Sequence, residues 1–176
     1  CGVPAHAADG YIARLLGAGL KVAIAEQVGE PGGKGAMDRQ VVRVMTPGTL
    51  FEDNLLTSRQ NNYLVSVFED GDAIGTAALE LSTGEFIAAQ FVGDDRHQQA
   101  REEVARLAPR EICVPAGSQG ADWLVAKEGV LSGAGGATRS LLPAWTFEPS
   151  RAQGRLCEHF GVASLVGFDL DGCDQA

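Results

Sequence analysis

Tyr63-Leu64-Val65-Ser66-Val67-Phe68, then Ala73-Ile74-Gly75-Thr76-Ala77-Ala78-Leu79-Glu80-Leu81, then Glu85-Phe86-Ile87-Ala88-Ala89-Gln90-Phe91-Val92 follow one another closely in the middle of the chain. The branched and aromatic residues in each suit a pleated, half-buried surface. Glu69-Asp70-Gly71-Asp72 separates the first two runs and Ser82-Thr83-Gly84 the last two, and both have turn composition. The stretch therefore predicts a three-stranded antiparallel meander.

Downstream, Asp94 is placed to cap a helix running to about Leu107, with Ala100, Val104 and Leu107 as its apolar residues. Pro109 stops it. Glu111 to Val114 reads as a short strand ended by Pro115, Ala121 to Lys127 as a small helix around Trp123 and Leu124, and Leu131 to Ala137 as a Gly-rich loop. Thr138 to Leu142 reads as a further strand, and Arg151 to Phe160 as a helix with Leu156 and Phe160 inward. Three consecutive strands followed by helix, strand, helix, strand, helix is the order of a ribonuclease H-like fold with a mixed sheet, which says nothing by itself about activity.

Upstream, the composition and pattern change. Ala5 to Leu16 predicts a helix with Tyr11, Ile12, Leu15 and Leu16 on one stripe, ended by Gly17-Ala18-Gly19. Lys21 to Val28 and Gln40 to Met45 predict strands on either side of a Gly-rich loop, Gly29 to Ala36. Thr46-Pro47-Gly48-Thr49 turns the chain out of the second strand. The expected organisation is α/β throughout: a partial mixed α/β unit over 1–50, a linker over 51–61, and the ribonuclease H-like unit over 62–176. The opening Cys1-Gly2-Val3-Pro4, without an initiator methionine, reads as the interior of a longer protein.

Charge divides the chain in the same place. Residues 1–50 carry five Lys/Arg (Arg14, Lys21, Lys34, Arg39, Arg43) against four acids, whereas the remainder carries nine basic against nineteen acidic residues. An acidic surface repels phosphate, so only the first unit is a candidate for touching nucleic acid. No apolar run is long enough to span a bilayer, and a cytoplasmic location is expected. Cys1, Cys113, Cys157 and Cys173 lack metal-ligand spacing and read as reduced, mostly buried thiols.

Motifs that invite chemistry lose to plainer readings. Gly17-Ala18-Gly19 follows a helix and opens a strand, the reverse of a dinucleotide-binding turn. Gly133-Ala134-Gly135-Gly136 lacks the Lys-Ser/Thr of a phosphate loop. A two-metal nuclease needs an acid facing inward on the first strand of such a sheet. Here Glu69 and Asp70 come only at the turn, and Glu80, Asp169, Asp171 and Asp174 read as a solvated acidic surface. His6, His97 and His159 stand in three unrelated contexts and spell no triad.

Cys1-Gly2-Val3-Pro4, His6, Tyr11, Gly19, Val22-Ala23-Ile24, Glu26-Gln27, Arg39, Val41-Val42-Arg43-Val44, Thr46-Pro47-Gly48-Thr49 and Asn61-Asn62-Tyr63-Leu64 together resemble the MutS family of DNA mismatch-recognition proteins. Ser82-Thr83-Gly84-Glu85-Phe86 and Leu165-Val166-Gly167-Phe168 fit the same family. The resemblance implies that residues 1–50 are the second half of the mismatch-binding domain. It likewise implies that 62–176 are most of the connector domain, which in the family is ribonuclease H-like without nuclease activity. The Phe-x-Glu mismatch wedge would precede Cys1 and the ATPase domain would follow Ala176. ATP and magnesium would then belong to the parent protein, with no cofactor or metal bound by this stretch.

The implied partners are mismatched duplex DNA, MutL, and a second MutS copy in a parent homodimer. By resemblance His6 and Arg39 lie on the duplex-facing side, where their donors suit phosphate or sugar oxygens. Arg43 joins them only if no bulge intervenes in the strand. Without the resemblance, His6 reads as a helix-capping histidine and Arg39 as a solvated arginine. The exposed start of the last helix, with Arg151, Gln153 and Arg155, is the implied MutL-facing candidate. Ala5, where the family usually has a larger residue, and the Gly-rich loop depart from the pattern. The alternatives are a metal-dependent nuclease and a free-standing protein-interaction module.

Overall fold

The computed structural model describes residues 2–28, 38–50, 61–117, 122–124, 136–170, 172–173 and 176. The expected Gly-rich loop over 29–36, residues 131–135 of the one expected over 131–137, most of the linker, and Asp171 and Asp174 lie outside them. Helix α1 spans Ala5–Gly17, and strands β1 (Val22–Val28) and β2 (Asp38–Met45) pair antiparallel beside it. Ile12, Leu16, Met45 and Leu50 form a small buried cluster with Ala8, Val22 and Ile24 against it. Half of the expected α1 stripe is therefore inward. Tyr11 and Leu15 are exposed, because a two-stranded layer is too narrow to cover four positions of a helix.

The second unit is a five-stranded sheet in the order β5-β4-β3-β6-β7, with β3 at Tyr63–Asp70, β4 at Ala73–Glu80, β5 at Glu85–Val92, β6 at Glu111–Pro115 and β7 at Thr138–Leu142. The β3–β4 and β4–β5 pairs are antiparallel, and the β3–β6 and β6–β7 pairs are parallel. This is the mixed sheet that the element order predicts. Helix α2 (Arg96–Leu107) covers one face. Its Ala100, Val104 and Leu107 pack among Val65, Val67, Ile74, Ala78, Ile112 and Val114, so alternate residues of β3, β4 and β6 fill one core. The N-cap of α2 is Asp95 rather than Asp94, and its side chain makes no capping bond. Instead its carboxylate accepts a hydrogen bond from the Gln99 amide one turn on.

Helix α3 (Pro149–Phe160) lines a groove with Phe86 and Ala88 of β5, residues outside the main core. Leu156 is half-buried, but Phe160 is exposed and stacks on Phe168 with ring centroids 4.8 Å apart, so it is not a core residue. Leu165 is the buried member of this region. The small helix expected over 121–127 is described only as a single 3-10 turn at Asp122–Leu124, where Leu124 joins the main core. Glu69 is not a free turn residue. Its two carboxylate oxygens lie 2.9 Å from His97 Nε2 and 3.2 Å from Trp123 Nε1, tying the end of β3 to α2 and to this turn.

Candidate nucleic-acid interface

The first unit presents its charges on a thin layer with two distinct faces. Side chains that face each other across a strand pair point to the same side, so the register decides which face each residue occupies. Val22 pairs with Met45 and Ile24 with Arg43, placing Arg43 on the α1 side. The register then shifts, Ala25 pairing with Val41 and Gln27 with Arg39. Val42 is the extra residue of a β-bulge. Arg39 consequently stands on the outer face, exposed, beside Gln27 and Val41, while Arg43 is half-buried on the inner face.

His6 is exposed in the first turn of α1. It does not cap the helix: Pro4 occupies the N-cap position and no side chain closes it. A short connection leads from α1 into β1, and the buried cluster places α1 on the side of Val22, Ile24 and Met45. His6 thus belongs to the α1 side of the layer and Arg39 to the outer face. Arg14 adds a further basic residue on α1, stacked 4.8 Å over the Tyr11 ring and donating to the Gly10 carbonyl.

The acids of the second unit are arranged for structure. Glu80, read from sequence as solvated, is buried at the end of β4. Burial pushes its carboxyl up, but hydrogen bonds from the Ser82 hydroxyl, from Thr83 and from the Asn62 backbone outweigh it and hold the group below its ordinary value. Glu111 is buried at the start of β6; its carboxylate accepts from Ser140 Oγ at 2.5 Å and from the Gly48 backbone N–H at 3.0 Å. Sequence reading passed over it. The available signal was its position: an acid opening a strand that lies between two parallel neighbours is covered on both sides and must find donors. Among the described residues no group of three or more His, Cys, Asp or Glu is placed to hold a metal ion.

Cys113 is buried on β6, whereas Cys157 and Cys173 are half-buried, so one of the three described thiols fits the buried expectation fully. Arg151, Gln153 and Arg155 are all exposed on α3. Arg151 stacks 4.6 Å over Trp145, and Gln153 borders a groove of about 360 Å³ between α3, Phe86 and Ala88 of β5, and Leu165. No helix among the described residues is long and apolar enough to cross a membrane.

A family model described as MutS domain I matches residues 1–54, and one described as MutS domain II matches residues 62–176. Proteins named DNA mismatch repair protein MutS are similar along nearly the whole chain. The one from Treponema denticola is 40% identical over 181 residues, covering 97% of this chain and 20% of that protein. Those from Symbiobacterium thermophilum and Myxococcus xanthus are each 42% identical, covering 99% and 100% of this chain. The chain spans about one fifth of the length of these curated relatives. With one family model on each of its two structural units, in the family's own order, the chain belongs to the MutS family.

Proposed function

We propose that this chain is a non-catalytic part of a mismatch-repair protein. Its first unit helps hold a mismatched duplex, and its second connects that grip to the remainder of the protein. The observation that carries the reading is the exposed Arg39 on the outer face of β2, within the part of the chain that matches MutS domain I. A guanidinium there presents a fork of donors to phosphate oxygens, which positions a duplex without reading its bases. His6, exposed in the first turn of α1, is the proposed second contact, made from the α1 side of the layer. Arg43, turned to the other face by the bulge, is subordinate in this reading.

The acidic second unit suits protein rather than DNA, and Arg151, Gln153 and Arg155 on α3 are the proposed surface for MutL. ATP and magnesium act elsewhere in the parent protein, a cytoplasmic homodimer in this reading. The test is duplex binding by the full-length protein carrying Arg39→Ala. Weaker binding to matched and mismatched duplexes alike supports the reading; binding unchanged on both refutes it.

A further inference from the structure

The two units have separate apolar cores, one around Ile12, Leu16, Met45 and Leu50, the other around Val65, Ile74, Val104 and Ile112. Between them runs a set of polar contacts from residues that match one family domain to residues that match the next. Glu111 of β6 is 2% exposed and accepts the backbone N–H of Gly48. Asn62, also buried, donates from its amide to the carbonyls of both Pro47 and Leu50 at 3.0 Å. Thr138 Oγ1 donates to the carbonyl of Gly19 at 3.3 Å.

Gly48 approaches so closely that a Cβ there would stand 2.8 Å from Glu111 Cβ and 3.0 Å from Leu64 Cδ1. Gly19, with φ +77°, meets Thr138 in the same way, its missing Cβ lying 2.8 Å from Oγ1. Buried polar contacts of this kind fix one arrangement, because any other leaves a donor or acceptor without a partner in a dry site. Apolar contact alone tolerates sliding.

We infer that Glu111 is the positioning residue of a polar joint that fixes the first unit against the second sheet. Its carboxylate has two donors from different places: Ser140 on the neighbouring strand orients it, and Gly48 is the group it holds. Ser140 Oγ bonds to one oxygen, which leaves the other aimed at the turn after β2. Through Gly48 and Asn62 the strand carrying Arg39 is anchored at its exit to β6 and to the start of β3. Displacement of the duplex-facing hairpin is then delivered to the centre of the second sheet. This deepens the connecting role proposed above and rests on that reading for its use, while the joint itself does not require DNA.

Amide residual dipolar couplings of the 176-residue chain test it. The wild type is expected to fit a single alignment tensor across α1, β1, β2, β3, β4 and α2. Glu111→Leu, which removes both acceptors, and Gly48→Ala, which removes the space, should each require two tensors, with the couplings inside each unit still self-consistent. Ser140→Ala keeps the link to Gly48 and should keep one tensor. Gly48→Ala retains both Glu111 and Ser140 as residues of the second sheet, so it decides the matter if Glu111→Leu unfolds that sheet. A wild type that already needs two tensors, or a single tensor retained in the folded variants, overturns the joint. If the joint holds and Arg39→Ala leaves duplex binding unchanged, it is the DNA-holding reading that fails.

Discussion

Arg39 and Arg43 stand on opposite faces of the β1–β2 layer, because the bulge at Val42 breaks the alternation between them. Arg39 is exposed on the outer face and belongs to neither buried cluster. Arg39→Ala is therefore expected to change unfolding stability by no more than about 0.5 kcal/mol. Urea denaturation followed by circular dichroism checks this, and a clear drop in midpoint would mean that Arg39 supports the fold.

Gly48→Ala should be costly for a single methyl. The added Cβ would meet Glu111 Cβ and Leu64 in a buried site, where the backbone of the turn must move to make room. Overpacking of that kind costs about 1–3 kcal/mol. A chemical-denaturation midpoint close to wild type would show that the turn yields easily.

Stability should fall as acid protonates Glu80. Its folded carboxyl titrates below the ordinary value near 4.5, so in that range the unfolded chain binds more protons than the folded one. The stabilisation is complete above the unfolded value and is lost as pH falls through the folded one. Glu80→Gln should lower stability at neutral pH and flatten its acid dependence below about pH 4.5. Denaturation midpoints across that range give the answer, and an unaltered slope would place the acid sensitivity elsewhere.

Cys113 should resist thiol reagents in the folded chain. Burial, with the Glu111 charge adding to it, pushes its thiol up to about 11, and the thiolate is the reactive form. With iodoacetamide near pH 8, Cys157 and Cys173 should be modified first, as peptide mapping by mass spectrometry would show. Early modification of Cys113 would indicate that β6 opens locally.

Local patterns carried the second unit well. The turn at Ser82-Thr83-Gly84 and the branched and aromatic run after it gave Glu85 and Val92 as the ends of β5, and the spacing of Ala100, Val104 and Leu107 gave the buried side of α2, because both depend on near neighbours. The misreadings depend on distant ones. Glu80 and Glu111 look like surface acids until the donors that surround them are known, and Gly48 lies 63 residues from Glu111. Tyr11 belongs to an apolar stripe whose two-stranded layer is too narrow to cover it, and Phe160 stacks on Phe168 outside the core. The bulge at Val42 leaves no local mark, since Val41 and Val42 are the same residue type and either could face the layer. Arg39 and His6 were singled out by family resemblance, whereas charge alone pointed only to the first fifty residues.

The most direct measurement is the salt dependence of duplex affinity for the full-length protein carrying this chain, as wild type, Arg39→Ala and Arg43→Ala. Each neutralised phosphate contributes about 0.9 to the slope of log affinity against log salt. Arg39→Ala should make that slope shallower by about one such contact, equally on matched and mismatched duplexes. Arg43→Ala should match the wild type. An unchanged slope for Arg39→Ala, or an equal loss for Arg43→Ala, would contradict the assignment of the outer face of β2 to the duplex.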